Sequence, residues 1–66
     1  MAGLVTLPDG QAARAEDVAA VKIEQFFNGD WYVYVELHKH PRVAIKADDE
    51  AEAKRMASEI TAAVNA

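Results

Sequence analysis

The stretch Trp31 to His38, WYVYVELH, constrains the fold more than any other part of the chain. Trp31, Val33, Val35 and Leu37 fall on one parity, Tyr32, Tyr34, Glu36 and His38 on the other. Aromatic and β-branched residues repeating with period two are a strand signal; a helix would scatter the same residues around its circumference. A lone strand is not stable, so the flanking sequence must supply partners. Upstream, Val21, Ile23 and Phe27 share one parity, broken by Gln25; downstream, Val43, Ile45 and Ala47 do the same.

Parity also chooses the loops. A two-residue Asn28-Gly29 turn would set Phe26 against Trp31 and Glu24 against Val33, mixing apolar and polar side chains on one face. A three-residue loop, Asn28-Gly29-Asp30, instead pairs Phe27 with Trp31, Ile23 with Val35 and Val21 with Leu37, and sets Lys22 opposite Glu36. Because a slip of one residue turns every side chain over, this agreement favours the odd loop. The same reasoning gives Lys39-His40-Pro41 as the second loop, with Val35 near Ile45 and Tyr34 near Lys46.

The C-terminal segment reads as a helix. Asp48 or Asp49 can cap it, and Asp49 with Glu52 has capping-box spacing. Ala53, Met56, Ala57, Ile60, Ala63 and Val64 form one stripe. Glu50 with Lys54, and Arg55 with Glu59, stand four residues apart. At the other end, Leu4 to Leu7 followed by Pro8-Asp9-Gly10 has hairpin turn chemistry. Between Gln11 and Phe27 two periods compete. Alanine content, with Ala15, Ala19, Ile23 and Phe27, permits a helix, whereas the strand register requires an extended chain from about Val18. The expected fold class is α+β: a small antiparallel β-meander of three to five strands with one C-terminal amphipathic helix packed on one face.

At 66 residues the chain is one domain, 1–66, with no cysteine. A core of that size supplies about 3–5 kcal/mol, without room for a deep catalytic cleft. Mean hydropathy of −0.14 and 27% charged residues place it among globular chains. The net charge of −4 argues against direct binding to nucleic acid, which calls for clustered Lys and Arg. No run is long and apolar enough for a membrane span, and Met1 to Asp9 has no leader-like pattern. A cytoplasmic protein is expected.

Chemistry-bearing groupings are sparse. His38 and His40 would share a side of an extended strand and could begin a metal site, but the sequence places no third ligand beside them. Ser58, Thr6 and Thr61 lack a base at hydrogen-bonding spacing. Glu16/Asp17 reads as a turn or short helical lead-in, and Asp48/Asp49/Glu50 as a helix cap. Gly3, Gly10 and Gly29 are scattered turn glycines, not a phosphate loop. No enzymatic activity, cofactor or metal is expected.

Two surface features remain. Opposite the helix, the sheet would carry Phe26, Tyr32 and Tyr34 among Lys22, Glu24, Glu36, His38 and Lys46. Such aromatics either form interface material, stack across strands, or lie under the N-terminal segment. The second feature is acidity, concentrated at Glu16 and Asp17 and at Asp48, Asp49, Glu50 and Glu52. It is either a solvated face or a set of phosphate mimics that docks in a basic groove.

The strings LPDG (Leu7 to Gly10), EDVAAV (Glu16 to Val21), WYVYVEL and ADDEAEA (Ala47 to Ala53), in a compact acidic chain without cysteine, resemble small phage and mobile-element proteins of the anti-CRISPR inhibitor type. The resemblance implies a non-enzymatic inhibitor that blocks a DNA-binding surface of an effector complex through an acidic, DNA-mimic-like face. On the residues' own account, Glu16, Asp17, Asp48, Asp49, Glu50 and Glu52 are the expected partner-binding acids, with Tyr32 and Tyr34 as aromatic anchors. The alternative is a small accessory domain that homodimerises, burying the aromatic face against a second copy.

Overall fold

A computed structural model describes residues 3–66; the first two residues of the Met1 to Asp9 segment lie outside it. The fold is α+β. A hairpin of β1 (Leu4–Thr6) and β2 (Ala12–Arg14) leads through a 3₁₀ turn (Ala15–Asp17) into β3 (Val18–Gln25), β4 (Trp31–Leu37) and β5 (Val43–Ala47), and helix α1 (Glu50–Val64) closes the chain. Strands β3, β4 and β5 form an antiparallel meander with β4 in the centre, and β1 and β2 form a separate two-stranded ribbon. Residues 12–20 are therefore strand and 3₁₀ turn, and the α-helical alternative for this stretch is excluded.

Period-two alternation sets the layers. Val33 and Val35 are fully buried and pack with Ile45 and Ala47 of β5 beneath Ala53, Met56 and Ile60 of α1. Val5, Leu7 and Ala15 join the same core, so the N-terminal ribbon lies against the helix side of the sheet. Asp49 caps the helix, its Oδ1 accepting from the Glu52 amide at 2.8 Å, while Glu52 Oε1 accepts from the Asp48 amide at 2.9 Å. This is the capping box read from the sequence, its return bond reaching one residue further back. The expected pairs Glu50–Lys54 (3.6 Å) and Arg55–Glu59 (3.1 Å) are both made.

Both long registers differ from expectation by two residues. Gln25, not Phe27, faces Trp31; Ile23 faces Val33 and Val21 faces Val35. Lys22 consequently lies across from Tyr34, and Glu36 from Ala20. Between β4 and β5, Val33 faces Ile45, Tyr32 faces Lys46 and Val35 faces Val43. A shift of two preserves the faces of the residues that stay in the paired strands, so the layers are those expected although the partners are not; Phe27, expected opposite Trp31, is the exception.

The turns explain the first shift. In the β3–β4 turn the Gly29 amide donates to Phe26 O at 2.9 Å, the Phe26 amide donates to Asp30 O at 2.7 Å, and Gly29 has φ of +94°. The loop is thus Phe27-Asn28-Gly29, with glycine last, where a left-handed residue completes a G1-type bulge. The β1–β2 turn repeats this: Gly10 donates to Leu7 O, Leu7 donates to Gln11 O, and Gly10 has φ of +92°. In each turn the residue before glycine, Asp9 or Asn28, accepts through its side chain from the amide two residues on, both at 3.0 Å. Phe27 therefore sits at the tip of a turn and not in the core.

Candidate functional site: the open sheet face and the Asp17 clip

The face of the sheet turned away from α1 carries a row of aromatic rings. Phe27 and Phe26 lie 5.2 Å apart between ring centroids, Phe26 meets Tyr32 edge-on at 5.8 Å, and Tyr32 stacks on Tyr34 at 6.1 Å. The Arg42 guanidinium closes the row, 4.3 Å from the Tyr34 ring centre. Strand pleat puts Tyr32 and Tyr34 on one side, and the hairpin turn adds the two phenylalanines beyond the strand end. Exposure rises along the row. Tyr34 is buried, Tyr32 half-buried, Phe26 46% exposed and Phe27 96% exposed. Lys46–Asp30 and Arg42–Glu36 ion pairs, each at 3.7 Å, flank it.

The β4–β5 loop is fixed by Asp17. Asp17 O accepts from the His38 amide at 2.8 Å, its Oδ1 accepts from the Lys39 amide at 2.9 Å, and His40 Nδ1 donates to its Oδ2 at 2.7 Å. An ionised carboxylate can only accept, so the shared proton sits on Nδ1. The His40 hydrogen bond, aided by the two loop amides and His40's charge, holds the Asp17 carboxyl below its ordinary range, although burial opposes this. The clip also explains the second register shift: residues 38–40 are committed to Asp17 rather than extending the β4–β5 ladder. His40 thus meets a carboxylate, and among the described residues no three His, Cys, Asp or Glu side chains converge as a metal site.

The sequence-selected acids do not form one surface. Asp17 is buried and committed to the clip, while Glu16 is exposed and 3.7 Å from Arg14. Both adjoin the Leu37 end of β4, since Val18 pairs with Leu37. Asp48, Asp49, Glu50 and Glu52 follow Ala47, which pairs with Trp31 at the opposite end. Six residue steps at about 3.3 Å put roughly 20 Å between those ends. Of the second group, Asp48, Asp49 and Glu50 are exposed and Glu52 is half-buried.

Tyr32 and Tyr34 share the face on which the sequence places them. Arg42 and Phe27 belong to the same surface but carried no signal of it: Arg42 lies in a loop, and the parity of Phe27 pointed to the core. No family model, curated protein or solved structure matches the chain.

Proposed function

We propose that this chain is a non-enzymatic protein-binding module whose contact surface is the row Phe27, Phe26, Tyr32 and Arg42, with the buried Tyr34 as its backing. The observation that supports this reading is the 96% exposure of Phe27 at the end of a continuous aromatic row. A ring held in water costs free energy that a partner's apolar pocket would return. Tyr and Arg are also among the residue types that dominate binding energy at interfaces. Stacking fixes the rings before contact, which lowers the entropy lost on docking.

The finer reading is an inhibitor of the anti-CRISPR type that occupies a DNA-binding surface of an effector complex. Its support is the acidic helix start, where Asp48, Asp49 and Glu50 stand exposed in sequence. A partner engaged there would be steered by charge and released by salt.

Capture from bacterial lysate with tagged protein tests both readings. The double substitution Phe26→Ser with Phe27→Ser is expected to reduce recovery of the partner at least about tenfold. Asp48→Lys with Glu50→Lys spares the capping Asp49 and should reduce capture only if the acidic face is used. Undiminished capture by the Phe26/Phe27 variant would sink the aromatic reading. A homodimer through the same row is the rival, and light scattering over a dilution series separates it: a monomer at micromolar concentration excludes an obligate dimer.

A further inference from the structure

A groove of about 900 Å³ lies between the N-terminal ribbon and the β4–β5 loop, within the range of pockets that hold ligands. Leu4, Leu37, Pro41 and Val43 supply apolar lining, and Leu4 there is 72% exposed. Arg14, Lys39 and Arg42 supply positive charge, with His38 and His40 beside them. Glu16 and Asp17 also border the groove, but Glu16 faces Arg14 and Asp17 is turned to the loop amides and His40. Arg14 and Arg42 are held by surface ion pairs, to Glu16 and to Glu36 at 3.7 Å each, which contribute little and can be exchanged for a ligand's carboxylates. Lys39 is the lining cation left free among the described residues.

We propose that this groove binds an acidic peptide segment of a partner protein, an extended chain in which carboxylates alternate with apolar side chains. Extended backbone sends successive side chains to opposite sides, which suits a groove offering both basic and apolar contacts. Arginine forks match carboxylates two-pronged, and Arg42 is already placed by its contact with Tyr34. A nucleic-acid backbone shares the charge requirement but has little apolar surface to cover Leu4, Leu37, Pro41 and Val43. The molecule's net negative field also opposes a long polyanion more than a short segment. The groove shares Arg42 with the aromatic row but neither Phe26 nor Phe27, so the two surfaces meet at Arg42, and substitutions at Phe27 and at Arg14 with Lys39 tell them apart.

The test is fluorescence anisotropy with the full chain and a fluorescein-labelled peptide of alternating Glu and Val. The same peptide with Lys for Glu, and a single-stranded DNA oligonucleotide, serve as comparisons. The Glu–Val peptide should bind saturably and more weakly as salt rises, and the Lys peptide should not bind. Arg14→Glu with Lys39→Glu, both at exposed positions, should weaken binding about tenfold or more. Leu4→Ser, which leaves the charge unchanged, should weaken it several-fold, and Phe27→Ala should leave it as it was. The proposal fails if the Glu–Val peptide does not bind, if charge reversal leaves its affinity unchanged, or if DNA binds more tightly at the same salt.

Discussion

Asp17 ties its own backbone and side chain to three consecutive residues that follow the neighbouring strand, β4. Its carboxyl is held below the ordinary value near 3.9, so it binds its proton more readily in the unfolded chain. The stability it contributes is therefore complete well above pH 4 and is lost as pH falls through that value toward the lower folded one. Asp17→Asn should flatten this acid limb, seen as a smaller loss of thermal midpoint between pH 5 and about pH 3 than in the unaltered chain. An equal loss in both proteins would show that the clip does not set the acid response. None of this was legible in the sequence. Glu16-Asp17 reads as a local acidic pair, and the partners that give Asp17 its role lie more than twenty residues away.

At the scale of elements, the identity and faces of β4 and β5, the strand from Val18 and the helix cap were legible, because alternation and the capping box are local patterns, whereas residues 11–20, where two periods compete, were not. Nor was register. Parity separates registers one residue apart but is blind to those two apart, and both ladders fall into that gap. The missing information lay in the turn glycine. Aligning Phe27-Asn28-Gly29 on Pro8-Asp9-Gly10, glycine last in each, yields the observed loop. Gly29→Ala accordingly places a side chain at φ of +94° and should cost about 1–2 kcal/mol, measured by urea denaturation. A neutral result would mean that the turn relaxes without loss. The candidate site divides in the same way: Tyr32 and Tyr34 share a face because alternation is local, whereas Phe27 and Arg42 join them through turn geometry that alternation does not encode.

Taken as a whole, the molecule relies on one small core that the ribbon and helix complete together. Leu7 is almost fully buried and packs in the cluster that includes Met56 and Ile60. Leu7→Ala should cost about 2–5 kcal/mol, comparable with what a core of this size supplies. Thermal denaturation should show a midpoint lowered by about 10 °C or more, or no folded baseline. A shift of only a degree or two would mean that the ribbon is not part of the cooperative unit. Whole-molecule geometry also separates the acids at 16 and 17 from those at 48 to 52, one group at each end of β4.

The Asp17 clip bears on motion as well as on shape. Surface turns ordinarily fray one at a time, at little cost and without reference to the elements they join. The turn carrying His38, Lys39 and His40 is bound instead to the residue that leads into β3, the neighbouring strand. Its loosening is thereby coupled to the separation of β3 from β4, and one wall of the groove moves only as that larger unit opens. A ligand seated there would stabilise the meander beneath it, and a meander loosened elsewhere would release the ligand.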